Sequence, residues 1–180
     1  LKDFTGASGE VTVNGAGGND ELIGLRHSDN LWEVTGPNEG SVGTFEFETT
    51  ARLTGGLKAD RFRFAPGAKL DGFVDGDDSK GTADNTLDFS GYNTQLGFTL
   101  DSATTTTGFA GNTSLLTTAT DPLGEGFDNI DVITSGSHID DVLRGMDAVA
   151  VWTIDSPVSV YSSSSRTLDF EAIEDLDGGN

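Results

Sequence analysis

Cysteine is absent from the sequence, which excludes a disulfide framework and thiolate metal sites and leaves the redox compartment open. Cationic side chains are scarce: 10 lysines and arginines stand against 30 aspartates and glutamates, a formal charge of −20. Nucleic acids and anionic lipids are bound by lysine and arginine replacing condensed counterions, so neither is an expected partner. No run approaches the roughly 18 consecutive apolar residues that a spanning helix needs, and no membrane insertion is expected. The opening LKDFTGASGE has neither an initiator methionine nor a signal-peptide pattern, so the chain is expected to be a fragment or a processed product.

What is present is glycine and short apolar groups. The 180 residues include 25 glycines and are 34% hydrophobic, with valine, isoleucine, leucine and phenylalanine clustered in alternating groups. That is enough apolar surface, suitably patterned, for one folded domain or one stretch of a repeat array. The density of carboxylates calls for screening by cations, which introduces calcium as a candidate companion.

Self-comparison finds an internal repeat. GGNDELIGLRHSDNLWEVTGP and GSHIDDVLRGMDAVAVWTIDSP superimpose at an offset of 120 residues, pairing Asp20 with Asp140, Trp32 with Trp152 and Pro37 with Pro157. FEFETTARLTGG and LDFEAIEDLDGG superimpose at an offset of 123. The chain is therefore expected to hold one long unit, residues 1–130, and the start of a second, 131–180. Within the long unit a smaller module recurs: a large apolar residue, a glycine pair, an aspartate and a second apolar residue. Phe47, Gly55, Gly56, Asp60 and Phe62 show it in full. Phe127, Gly136, Asp140 and Val142 repeat it, Phe170, Gly178 and Gly179 begin it, and Val13, Gly15, Asp20 and Leu22 fit its latter half.

Period-two alternation in LWEV, FEF, RFRF, TLDF, GFTL, VWTI and VSV, all β-branched or aromatic on one face, predicts half-buried strands. GAGGND, TGGLKAD and VDGDDSKGTAD supply the turns between them. No segment combines helical periodicity with caps. The fold class expected is all-β. A recurring turn favours a parallel β-solenoid, a β-helix or β-roll about 4.8 Å per coil with glycine- and aspartate-rich turns, with a β-sandwich as the alternative. Core candidates are Trp32, Val34, Phe45, Phe47, Phe62, Phe64, Phe89, Phe98, Trp152, Ile154, Leu168 and Phe170.

The turns GAGGNDELI, GGLKADRFR and SGSHIDDVL resemble degenerate copies of the nonapeptide G-G-x-G-x-D-x-U-x of calcium-binding RTX proteins, where U is a large apolar residue. Together with FDNIDVITSG and FEAIEDLDGG, they also resemble repeats of large bacterial haemagglutinin-like or RTX-type surface adhesins. The resemblance implies Ca2+ held by Asp20, Asp60 and Asp140, with Leu22, Phe62 and Val142 pointing inward. The fourth motif position is Gly18 in the first turn but Lys58 and His138 in the others.

A second acidic cluster, Asp71, Asp75, Asp77, Asp78 and Asp84, lies in DGFVDGDDSKGTADN; Asp75, Asp77, Asp78 and Asp84 join the metal candidates. The spacing is not that of an EF-hand, so a solvated loop and a calcium-ordered loop both stand. The same holds for Asp169, Glu171, Glu174, Asp175 and Asp177. Arg61 and Arg63, alternating with Phe62 and Phe64, are expected on the outer face, in ion pairs with neighbouring strands or as a glycan-binding strip.

Parallel β-helices also carry carbohydrate-active enzymes, whose chemistry needs an acid and a base facing one another. His27 with Asp29 and His138 with Asp140 are the only histidine–acid pairs, and both sit in turns. Repetition argues for a stalk over a singular catalytic constellation. The expected function is a non-enzymatic structural or adhesive segment of a secreted or cell-surface bacterial repeat protein, calcium-stabilised and able to form stalks or filaments. Its expected partners are neighbouring repeats or copies, cell-surface glycans or a partner cell; a carbohydrate-active or carbohydrate-binding β-helix is the alternative.

Overall fold

The computed structural model describes residues 11–77, 83–104, 107–115 and 121–179, and among them every regular element is a β-strand. The strands fall into two open, mixed sheets, a larger and a smaller. β1 (Val11–Asn14) lies in the larger sheet and β2 (Glu21–Ile23) in the smaller; β3 (Asn30–Gly36), β4 (Glu39–Val42) and β5 (Phe45–Glu48) return to the larger, and β6 (Arg52–Thr54) to the smaller. The chain keeps alternating. β7 (Asp60–Phe64) is in the larger sheet, β8 (Phe73–Asp75) in the smaller, β9 (Thr86–Asp88) in the larger, then β10 (Leu96–Ala103), β11 (Phe109–Leu115) and β12 (Gly126–Ile130) in the smaller. β13 (Val132–Thr134) and β14 (Val142–Arg144) follow in the larger and the smaller. β15 (Ala150–Thr153), β16 (Ser159–Ser163) and β17 (Arg166–Glu171) belong to the larger sheet and β18 (Asp175–Asp177) to the smaller.

Strands separated by a visit to the other sheet pair in parallel. β3, β7, β9, β13 and β17 form one parallel series, β2, β6, β8 and β12 a second, and β10, β14 and β18 a third. Strands that follow one another within a sheet pair antiparallel, giving the meanders β3–β4–β5, β10–β11–β12 and β15–β16–β17. A purely parallel arrangement is thus corrected to a mixed one. Its cause is local: Pro37–Asn38, Gly43–Thr44 and Ser164–Ser165 are two-residue connections, too short for a crossover. Ser164 and Ser165 both have positive φ, 52° and 64°, the backbone twist that suits a tight hairpin.

Alternation places the core. β7 is buried at Asp60, Phe62 and Phe64 and exposed at the two arginines between them. The parallel register sets Trp32, Phe62, Leu87, Ile133 and Phe170 side by side on one face of the larger sheet, all buried. Leu53, Val74 and Phe127 form the matching row of the smaller sheet, and both rows belong to one apolar cluster. Like rings meet along the series: Trp32 stacks on Phe62 at 5.7 Å and Phe64 on Phe89 at 4.6 Å between centroids. On the outer face Arg63 pairs with Glu33, and Arg61 with Asp88 at 2.7 Å, the ion pairs across strands that the alternation suggests.

Three core expectations need revision. Phe45 and Trp152 are only half-buried, and Ile154 is 64% exposed. Of the threonine-rich ATTTTGFAGNTS, residues 103–114, which reads in the sequence as a loop or an edge strand, residues 105–106 lie outside the described residues. β11 at its centre is an interior strand, paired on both sides, and not a loop or an edge.

Replacing Phe62 by alanine removes a fully buried ring from the middle of the row and is expected to destabilise the fold by about 3–5 kcal/mol. Arg63→Ala, which breaks an exposed ion pair, is expected to change stability by less than about 1 kcal/mol. Urea unfolding of the two variants beside the parent measures both.

Candidate functional site: the aspartate-led turns

Four strands of the long parallel series in the larger sheet, β3, β7, β9 and β13, are preceded or led by an aspartate or asparagine. The Asn30 backbone N–H donates to Asp60 Oδ1 at 3.0 Å, the Asp60 N–H to Asn85 Oδ1 at 3.0 Å, and the Asn85 N–H to Asp131 Oδ2 at 3.0 Å. The result is a ladder of side-chain oxygens running across four strands. Asp60 is buried, and its second oxygen accepts the Gly56 N–H at 2.5 Å, closing the glycine turn onto the carboxylate. A Cβ on Gly55 would sit 2.3 Å from that same oxygen, so this position requires glycine. Burial pushes the Asp60 carboxyl up; the bonds from Gly56 and Asn30 oppose the shift and the charge of Asp29 adds to it.

The smaller sheet has a shorter ladder. Leu96 N–H donates to Asp141 Oδ1 at 2.8 Å, and Asp141 N–H to Glu174 Oε2 at 3.3 Å. The hydroxyl of Ser135 donates to Asp141 Oδ2 at 2.7 Å. The aspartate that takes the bonding role of Asp60 in this turn is therefore Asp141 and not Asp140, which is exposed on the turn. One additional residue between Ser135 and the aspartate, compared with Gly55 to Asp60, accounts for the slip. The inward apolar residue slips with it: Leu143 is buried, while Val142 is half-buried. Phe62 points inward as expected, and Leu22 is half-buried.

Asp20 has the turn without the bond. Ala16 stands where the other turn has Gly56, and its N–H goes to Asn14 Oδ1 at 2.7 Å, which leaves the buried Asp20 Oδ2 without a hydrogen-bond partner. In the acidic loop, Asp75 Oδ1 accepts the Asp77 N–H and Asn129 Nδ2, both at 2.8 Å, and Asp84 is exposed. Asp78 lies outside the described residues. Asp75 is in register with Asp128, whose carboxyl is pushed up by burial and then by the Asp75 charge. On the outer face of β9, burial works against the charge of Asp88, but bonds from Ser90 and Arg61 outweigh it and hold the carboxyl below its usual value.

Calcium needs six to eight oxygens converging on one point. Asp60 and Asp141 do not fit that requirement, because their oxygens are occupied by protein donors that a cation would have to displace. Among the described residues no three histidine, aspartate or glutamate side chains converge. Of the carboxylates near the last strand, Asp169, Glu174, Asp175 and Asp177 are exposed and Glu171 is half-buried. Of the histidine–acid pairs, His27 is exposed, and His138 Nδ1 accepts the Asp140 N–H at 3.2 Å, a bond local to the turn. A shallow open depression beside β15 is lined by Val149–Val151 and Ser162–Thr167 and contains Arg166 as its single charged group.

Asn30, Asn85, Asp131 and Asp141 were not among the candidates, and Glu174 was one only as a member of the last acidic cluster. The signal that finds the first three is [Asn/Asp]-x-Φ-x, with Φ a large apolar residue: NLWEV, DRFRF, NTLDF and DVIT all begin with a ladder residue. Comparison of the chain with family models, curated proteins and solved structures gives no match.

Two predictions separate the ladder from its neighbourhood. Asp141→Ala strands the Leu96 N–H and the Ser135 hydroxyl and is expected to destabilise by about 2–3 kcal/mol, while Asp140→Ala stays within about 0.5 kcal/mol. The second concerns pH. A lowered carboxyl such as Asp88 contributes stability above the ordinary carboxylate range, and this is lost as pH falls through its folded value. A raised one such as Asp128 acts in the opposite direction, so stability from it grows as pH falls through its folded value. Asp128→Asn, which keeps an acceptor for the Asn129 N–H, is expected to raise the thermal midpoint at pH 7, and Asp88→Asn to lower it. Both differences shrink in melts run at progressively lower pH through the carboxylate range.

Proposed function

We propose that the chain is a structural or adhesive segment of a secreted or cell-surface bacterial repeat protein, built as a solenoid whose coils visit the two sheets in turn. One observation carries the reading. The pairing β1–β5–β4–β3 in the larger sheet, with β2 beside β6 in the smaller, recurs as β13–β17–β16–β15 with β14 beside β18. Even close contacts recur: a Cβ on Gly24 would lie 2.8 Å from Trp32 Cζ2, and one on Gly145 2.9 Å from Trp152 Cζ2. On this reading the repeat of residues 1–130 and 131–180 is one of architecture, and the meanders are elaborations of single coils. Stacked parallel strands transmit load along their series of interfaces, which suits a stalk that holds an adhesive surface away from a cell. Neighbouring repeats and surface glycans are the partners that go with it.

Calcium accompanies the proposal at one place, the turn containing Asp75, Asp77 and Asp84. There Asp75 and Asp128 lie side by side, and a divalent ion would offset their repulsion. Added calcium is expected to raise the thermal midpoint of chelator-treated protein and to have less effect on Asp75→Asn; a midpoint indifferent to calcium and chelator sinks the metal component. The structural reading has a separate test. A panel of acidic and neutral polysaccharides is expected to show no turnover, whereas turnover abolished by a single carboxylate substitution defeats the reading in favour of a carbohydrate-active β-helix.

A further inference from the structure

Cationic side chains are few, and most are already matched. Arg52, Arg61, Arg63, Lys69 and Arg144 each form an ion pair with a carboxylate, and Arg166 donates to the Thr104 carbonyl at 3.4 Å. Arg26 and Lys58 form none among the described residues, and both are exposed, as is His27 beside Arg26. They stand on successive coils. Arg26 and His27 belong to the turn between β2 and β3, Lys58 to the turn between β6 and β7, and the Leu57 N–H donates to the Arg26 carbonyl at 2.9 Å. A Cβ on Gly56 would lie 3.1 Å from Arg26 Cα, so the two turns are packed one on the other. Buried side chains hold both in shape. Asn30 donates through Nδ2 to the carbonyls of Leu25 and Ser28, each at 3.1 Å, and accepts the Leu25 N–H at 2.9 Å. Asp60 receives Asn30 Nδ2 on one oxygen and the Gly56 N–H on the other. Exposure belongs to the turn position itself. Asp147 and Ala148, which stand to Gly145 as Arg26 and His27 stand to Gly24, are exposed too, although β10 lies beside β14 there.

We infer that these two stacked turns bind the acidic groups, carboxylate or sulfate, of a glycan chain. The Arg26 guanidinium offers paired donors that match either oxyanion, and Lys58 adds a point charge one coil away, about 4.8 Å along the stack. The turns are clamped from beneath by Asn30 and Asp60, so little backbone freedom is lost on binding. Of the carboxylates on the two turns, Asp60 is buried and bonded and Asp29 is exposed. The next coil begins the acidic turn of Asp77 and Asp84, which bounds the patch on that side. The remaining excess of negative charge selects the ligand. Duplex nucleic acid carries one charge per about 1.7 Å and would be repelled along its whole length. A uronate or sparsely sulfated glycan spaces its charges a sugar or more apart, and at physiological ionic strength carboxylates more than about 8 Å from the contact are screened. Two or three cations give modest affinity at one site, which repeated segments of a surface protein would multiply by avidity. This inference rests on the structural reading above and names the class of glycan and the place that holds it.

Affinity electrophoresis of the whole chain tests it, in calcium-free gels containing polygalacturonate, a sulfated galactan or neutral dextran. Retardation is expected with one or both acidic polymers and not with dextran; which of the two acts names the group as carboxylate or sulfate. Arg26→Ser with Lys58→Ser is expected to weaken binding about tenfold, and both positions are exposed, so that variant folds. Arg63→Ser with Arg144→Ser removes the same charge from elsewhere on the molecule and is expected to leave binding within about twofold of the parent. Asp29→Asn is expected to tighten it about threefold. Three outcomes overturn the inference: no retardation by either acidic polymer, equal retardation by dextran, or a loss no greater for Arg26→Ser with Lys58→Ser than for the paired-arginine control. Free poly-glutamate that competes as well as the polysaccharide itself assigns the turns to an acidic peptide and also overturns it. None of these bears on polysaccharide turnover, which decides the structural reading alone.

Discussion

Where a strand begins, its first backbone N–H has no ladder partner of its own unless something in the neighbouring strand reaches it. In the larger sheet a side-chain oxygen reaches it: Asp60 for the Asn30 N–H, Asn85 for that of Asp60, Asp131 for that of Asn85. A buried N–H left unpaired costs about 1–3 kcal/mol, so these oxygens act as capping groups at the strand starts. They also set register. A slip of one residue would turn Trp32, Phe62, Leu87 and Ile133 out to solvent and their charged neighbours into the core. The oxygen ladder and the apolar row two residues further on thus specify the same alignment.

The excess of negative charge can be read against this frame of bonds. Among the described residues the acidic residues buried as a whole are bonded: Asp60 and Asp141 to backbone and side-chain donors, Asp88 to Arg61 and Ser90. Because hydrogen bonds from the fold itself satisfy the buried members, the requirement for cations falls on the exposed remainder, where screening by salt is effective. Arg61 and Arg63 lie one row outward from the core, each bridging to a carboxylate of an adjacent strand.

Much of the strand pattern was legible in the sequence. Alternation in LWEV, RFRF and TLDF follows from a two-sided sheet and needs no knowledge of partners. The mixed sheets were harder, because the hairpin at Ser164–Ser165 has no glycine and reads as ordinary polar loop. The ladder was half visible. Alignment on glycine pairs led to Asp60 but, through one inserted residue, to Asp140 in place of Asp141, and it passed over Asn30 and Asn85, which follow no glycine pair. Trp152 and Ile154 illustrate the remaining limit: a residue type and its repeat position announce an inward face, but burial also needs the strand that covers it, and that belongs to another stretch of chain.

The rungs of the oxygen ladder are evenly spaced in space and uneven along the chain, with 30, 25 and 46 residues between successive members. Loop-closure entropy grows only with the logarithm of length, so the longest interval is disfavoured relative to the shortest by about 0.5 kcal/mol. Selection on such a chain is therefore nearly indifferent to how much polypeptide lies between rungs. Insertions such as the β10–β11–β12 meander can enlarge one flank while the ladder keeps its alignment, which makes the interval between rungs the place where new surface can evolve at little expense to the frame.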